Sequence, residues 1–139
     1  MKLTLYTDGG SRHNPGPAAL GVVIKDQNGK ILTHYGEFLG NQTNNYAEYM
    51  AIISALKKAY ELGALDVDCV ADSKLIVEQL KGNWRVKEPT LQKLFIQAWN
   101  ELQKFKHYTL RHTLRAGNKE ADAEVNKILD AIVGPKSNH

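Results

Sequence analysis

Residues 3–17 read Leu3-Thr4-Leu5-Tyr6-Thr7-Asp8-Gly9-Gly10-Ser11-Arg12-His13-Asn14-Pro15-Gly16-Pro17, and the punctuation of this stretch decides the fold. Leu3, Leu5 and Thr7 alternate with Thr4, Tyr6 and Asp8, the period of a strand, which is predicted to end near Asp8. Gly9 to Pro17 then holds three glycines and two prolines, so neither a helix nor a central strand is expected there. A second strand is predicted from Ala19 to Lys25. A glycine-rich turn that cradles the phosphate of a small molecule opens directly into a helix. Here Gly9-Gly10 leads through a turn into another strand, which excludes that class of α/β enzyme.

Working outward, Asp26-Gln27-Asn28-Gly29 makes a hairpin turn into a third strand from Lys30 to Leu39. Asn44 or Asn45 is expected to cap a helix whose apolar positions Ala47, Ala51, Ile52, Ala55, Leu56 and Ala59 keep helical spacing until Gly63. Val67 to Ala71 is a fourth strand. Ser73 caps a short helix to Leu80, closed by Gly82. Pro89-Thr90 opens a longer helix that carries Leu91, Leu94, Phe95, Ala98, Trp99 and Leu102 on one side. His107 to Leu114 is a last strand, Gly117-Asn118 a turn and cap, and Glu120 to Val133 a final helix. The order β-β-β-α-β-α-α-β-α predicts an α/β fold. Its five-stranded mixed sheet has three antiparallel strands, then parallel crossovers, flanked by helices. One domain is expected over residues 1–133, with a polar, frayed tail over 134–139.

A hydrophobic content of 42% over 139 residues supplies a core without disulfides or structural metal. The single cysteine, Cys69, lies in an apolar run, is expected to be buried, and fits a reducing compartment. No apolar stretch is long enough to span a membrane, and because Met1 leads straight into a strand-like alternation, no cleavable signal is expected. A cytoplasmic location is therefore expected. Residues 73–119 carry 10 Lys/Arg against 3 Asp/Glu, between flanks that are each net acidic. Such a basic block suits a polyanionic partner, although a solvated helix face has the same composition.

Asp8 and Asp72 end the first and fourth strands, where open α/β sheets bind ligands. A helix crossover joining these strands in parallel sets their ends side by side. Glu48 and Asp122 are expected in the first turns of the first and last long helices, where an acid also complements the helix dipole. Taken singly, each of the four has an ordinary local role. Their flanks change the reading. Thr7 to Gly21, with Asp-Gly-Gly-Ser and Asn-Pro-Gly-Pro, resembles the first signature of type 1 ribonuclease H. Thr43-Asn44-Asn45-Tyr46-Ala47-Glu48 resembles the second, Ala71-Asp72-Ser73 the third, and Arg115-Ala116-Gly117-Asn118-Lys119-Glu120-Ala121-Asp122 the fourth. All four come in the family's order and cover the chain to about Asp130.

The resemblance implies a ribonuclease H-like fold and an endonuclease that hydrolyses the RNA strand of RNA–DNA hybrids, leaving 5′-phosphate and 3′-hydroxyl ends. It implies that Asp8, Glu48, Asp72 and Asp122 are catalytic and ligate two Mg²⁺ ions, with Mn²⁺ as a substitute. The physics agrees. Two carboxylates about 5 Å apart repel by roughly 3 kcal/mol at an effective dielectric of about 20, so such a cluster calls for cations, and oxygen-only ligands suit hard ones. At least one of the acids is predicted to have a raised pKa before metal binds. The resemblance also sets Gly9, Gly10, Ser11, Asn14, Thr43, Asn44 and Asn45 against nucleic acid. Many relatives insert a basic protrusion between the second and third long helices. Here only Lys81 to Glu88 is available, and it keeps Trp84 flanked by Arg85 and Lys87, suited to a sugar–phosphate chain or, for Trp84, to a hydrophobic lid.

Relatives with a flexible loop before the last helix often carry a histidine there. This chain has Arg115 instead, with His112 three residues earlier, and both are auxiliary candidates rather than general bases. Glu124 stands at an ordinarily apolar place and is expected to face solvent or loosen the last helix. No hybrid-binding extension is expected before Met1, nor processivity from an added domain. A monomer is expected, because one composite site accounts for all four signatures. An inactive binding module would require a missing acid, and a broader nuclease would also cut double-stranded RNA; the sequence leaves the second open.

Overall fold

A computed structural model describes residues 1–135. Its elements are β1 (Lys2–Ser11), β2 (Gly16–Lys25), β3 (Ile31–Gln42), α1 (Asn44–Glu61), β4 (Asp66–Ala71), α2 (Lys74–Leu80), α3 (Pro89–Leu102), β5 (His107–His112), a 3₁₀ turn (Arg115–Asn118) and α4 (Lys119–Val133). The strands form one sheet in the order β3-β2-β1-β4-β5. β1 pairs antiparallel with β2 and β2 with β3, while β4 runs parallel to both β1 and β5. This is the mixed five-stranded α/β sheet expected from the element order. The polar tail predicted over 134–139 lies outside the described residues from 136 onward.

The strands alternate faces, so β1 serves two layers. Leu3 and Leu5 point into the main core with Leu20, Val22 and Ile24 of β2, the inner face of α1, and Leu91, Leu94, Ala98 and Leu102 of α3. Each fully buried leucine or isoleucine there stabilises by roughly 2 kcal/mol. The other face is covered by α4, where Ala19, Val125 and Leu129 make a small second core. Cys69 is buried as expected, and burial pushes its thiol up to about 12, which makes it inert. Among the described residues no helix is long and apolar enough to cross a membrane.

Several element boundaries differ from the sequence reading for identifiable reasons. β1 does not end at Asp8: Gly9, Gly10 and Ser11 pair with Leu20, Ala19 and Ala18, so the turn shrinks to residues 12–15. Glycine is used there for close approach, and the ladder survives it. Thr43, not Asn44 or Asn45, caps α1, its hydroxyl accepting the Tyr46 N–H at 3.1 Å. Glu48 consequently falls beyond the first turn. α3 is capped by Glu88, which accepts the N–H groups of Thr90 and Leu91. Trp99 faces outward, 45% exposed. β5 stops at His112 and leaves Leu114 outside it. Glu124 is buried rather than solvent-facing, with His34 of β3 2.8 Å away.

Candidate active site

Two glycines let helices approach Asp8 from opposite faces of the sheet. A Cβ on Gly9 would lie 2.2 Å from the carbonyl carbon of Ala47 and 2.4 Å from the Glu48 nitrogen, so α1 rests directly on the β1 backbone. That contact lets the Gly9 N–H donate to Glu48 Oε1 at 2.7 Å. On the neighbouring strand Gly21 pairs with Asp8, and a Cβ there would lie 2.3 Å from the Ala121 carbonyl oxygen of α4. Asp122 is the next residue of that helix. Asp72 arrives by the parallel crossover: Thr7 pairs with Ala71, the last residue of β4, so Asp72 follows directly beside Asp8 of β1. Asn118 adds a tether that sequence reasoning saw only as a cap. Its buried side chain makes no capping bond and instead donates to the Thr7 carbonyl at 2.7 Å, tying the start of α4 to the residue before Asp8.

Carboxylate oxygens of Asp8, Glu48 and Asp72 lie within 4.8 Å of one another, the one such group of possible metal ligands among the described residues. Asp122 stands outside this tight group but lines the same groove, with Gly9, Gly10, Ser11, Asn44, Asn45, Ser73 and Arg115. Its carboxylate accepts from Arg115 Nη2 and from Asn126 Nδ2, both at 3.3 Å. Asp8 and Glu48 are both buried. Burial first, and the charge of Asp72 second, push the Asp8 carboxyl up to about 8. Burial, then the charges of Asp8 and Asp72, hold Glu48 well above the ordinary carboxylate range as well. These are the raised values expected of an acidic cluster without counter-charge. An oxygen-only donor set around this much buried negative charge fits a hard divalent cation.

The other candidates separate into four places. Ser11, Asn14 and Asn44 form a latch on the groove's rim. Asn14 Oδ1 accepts the Asn44 N–H at 3.0 Å, and Asn44 Oδ1 accepts both the N–H and the hydroxyl of Ser11, at 2.8 and 3.0 Å. Asn44 is thus a cross-link between the β1–β2 turn and α1, and Thr43 is exposed beside it. Trp84 and Arg85 line a separate depression with Val86, Phe95 and Ile96, away from the acids. Trp84 is exposed, with Lys74 Nζ 5.9 Å from its ring centre, and Lys87 is exposed nearby in sequence. Arg115 reaches Asp122, and the acids around it raise its pKa further, Asp122 foremost. His112 is exposed at the end of β5, and the groove's lining does not include it.

The family model described as "Reverse transcriptase-like" matches residues 6–128. A ribonuclease HI of Halobacterium salinarum is 42% identical over 125 residues, 90% of this chain and 63% of that protein. The crystal structure of RNase H1 from the same archaeon aligns with a TM-score of 0.92 at 40% identity, covering 94% of this chain and 99% of that one. A bifunctional protein of Mycobacterium tuberculosis is 41% identical over 132 residues, 94% of this chain and 36% of the protein. The chain thus spans from about a third to under two thirds of these curated relatives. LC11-RNase H1, crystallised in complex with an RNA/DNA hybrid, aligns with a TM-score of 0.90 at 38% identity, covering 94% of this chain and 99% of that one.

Proposed function

The chain belongs to the ribonuclease H family, and from that premise we propose that it is an endonuclease cutting the RNA strand of RNA–DNA hybrids. The observation that carries this reading is the convergence of Asp8 in β1, Glu48 in α1 and Asp72 just after β4 within 4.8 Å. Asp122 from a fourth element lines the same groove. A binding module that had lost its chemistry would lack or displace one of these acids, and none is missing.

Asp8, Glu48, Asp72 and Asp122 would hold two Mg²⁺ or Mn²⁺ ions. Bound there, such cations supply Lewis acidity toward the scissile phosphate and the attacking water, with 5′-phosphate and 3′-hydroxyl ends as products. The chain's own contribution is placement. Gly9 engages one oxygen of Glu48 and so fixes that carboxylate beside Asp8, where it can also meet the RNA 2′-hydroxyl, the group that distinguishes RNA from DNA. Arg115 balances Asp122 and is placed to steady a phosphate oxygen or the departing group. The latch of Ser11, Asn14 and Asn44, with Gly10, Thr43 and Asn45, offers short polar side chains and amides to the sugar–phosphate backbone. Trp84, Arg85 and Lys87 extend the contact beyond the groove. One chain supplies every element of this site, in keeping with a monomer.

Cleavage of an end-labelled RNA with Mg²⁺, presented single-stranded, hybridised to DNA or paired with RNA, tests the assignment. Cutting confined mainly to the hybrid supports it. Comparable cutting of double-stranded RNA keeps the site and widens the substrate class. Binding of hybrid by folded protein without cutting in Mg²⁺ or Mn²⁺ contradicts it and leaves a binding module.

A further inference from the structure

We propose that Gln79, backed by Tyr49, is a positioning residue that sets the nucleic-acid-binding connector 81–88 at a fixed height relative to the catalytic helix α1. The proposal rests on the reading that Trp84 and its neighbours contact the hybrid. Gln79 is buried at the end of α2, yet each end of its amide has a partner. Its Oε1 accepts the Tyr49 hydroxyl at 2.6 Å, and its Nε2 donates to the Arg85 carbonyl at 3.3 Å. Tyr49 is fully buried and follows Glu48 directly on α1. One continuous path therefore runs from the helix that carries Glu48, through two buried side chains, to the main chain between Trp84 and Val86.

Burying an amide and a phenol in this core is costly unless their polar atoms are satisfied, and leucine or phenylalanine would fill the same space without that cost. What the polar pair adds is direction. The connector has no helix or strand of its own to hold it. Its first half turns back onto α2, the Asn83 and Trp84 N–H groups donating to the Glu78 carbonyl at 2.9 and 3.3 Å, while its second half is held by two side-chain amides, Gln79 from α2 and Gln92 from α3, the latter donating to the Val86 carbonyl at 2.9 Å. Of the two, only Gln79 reaches α1. With its carbonyl held from below, Arg85 and its neighbour Trp84 keep their side chains on the exposed side. In this way the distance between the strand being cut and the surface that grips the duplex is set from inside the core. Such prepositioning lowers the ordering cost of binding without touching the chemical step.

The test uses the full chain in a Trp99→Phe background, which leaves Trp84 as the single tryptophan. Gln79→Met keeps the volume and removes both bonds. Tyr49→Phe removes one oxygen and serves if Gln79→Met does not fold. Trp84→Ala is the control for the underlying reading. Steady-state cleavage of a hybrid with Mg²⁺ gives kcat and KM, and acrylamide quenching reports the exposure of Trp84 without substrate. The expected result is a KM raised on the order of fivefold by Gln79→Met, with kcat within about twofold and stronger quenching. Tyr49→Phe should shift both in the same direction by less. If Trp84→Ala raises KM but Gln79→Met does not, or lowers kcat alone, the positioning role is wrong. If Trp84→Ala leaves KM unchanged, the connector does not grip the hybrid. Quenching then decides the structural claim, and unchanged quenching in Gln79→Met overturns it.

Discussion

The main-chain N–H of Gly9 donates to the Glu48 carboxylate at 2.7 Å, across a contact so close that no side chain fits between β1 and α1. Gly9→Ala would drive a methyl into the Ala47–Glu48 peptide, and backbone on both sides leaves little room to yield. The expected cost is about 3 kcal/mol of stability from overpacking. Displacement of Glu48 by about 1 Å should also lower kcat on the order of a hundredfold at temperatures where the variant is folded. Thermal unfolding and single-turnover cleavage measure the two separately. A stable variant with unchanged kcat would show that the contact does not set the position of Glu48.

Without divalent cation, the acidic cluster should cost stability as pH rises. The Asp8 carboxyl is raised from 3.8 to about 8, chiefly by burial and next by Asp72. Between these values the native state holds a proton that the unfolded chain has released, so stability is fully present below about 4 and falls as pH approaches 8. Melting in EDTA from pH 5 to 8.5 should show this decline. Saturating Mg²⁺ should flatten it, and Asp8→Asn should make it shallower without metal, buried Glu48 still contributing, and raise Tm by several degrees at pH 8. A wild-type Tm in EDTA that rises over this range would refute the assignment.

Glu124 offers a contrasting case. Its carboxylate is buried with His34 at 2.8 Å and Lys127 at 3.4 Å, yet both partners stay largely exposed and lose little when left alone. Glu124→Leu should therefore leave Tm unchanged or raise it by the equivalent of about 1 kcal/mol, with kcat unaffected. A loss of about 3 kcal/mol or more would mean that the pair, and not apolar packing, anchors α4 to β3.

The sheet order was legible because strand and helix periods set the sequence of elements, whereas the four acids stood out only through their flanking motifs, since Asp8 lies inside β1 and Glu48 beyond the first turn of α1. The features that escaped were decided by contacts between distant segments. Asn44 is as good a cap as Thr43 by composition, but Asn14 takes its N–H and Ser11 its side chain, which leaves the cap to Thr43. Glu124 reads as solvent-facing until His34, 90 positions away, is set beside it. Trp99 fits the apolar stripe of α3 but lies at its outer margin, where it stays 45% exposed. The close-approach role of Gly9 was hidden because a glycine pair before a proline-rich turn looks like the turn itself.

Asp8, Glu48, Asp72 and Asp122 are proposed to act as one metal-dependent centre. Its most direct test is cleavage of an end-labelled RNA in an RNA–DNA hybrid by the wild type and by Asp8→Asn, Glu48→Gln, Asp72→Asn and Asp122→Asn. Each protein is first shown to be folded and to bind the hybrid. Cutting by the wild type that EDTA abolishes is expected, with a loss of about a thousandfold or more for Asp8→Asn, Glu48→Gln and Asp72→Asn. Asp122→Asn, outside the tight group but in the same groove, should lose at least about a hundredfold. Wild-type cutting by Asp8→Asn, or cutting that persists in EDTA, would contradict the proposal.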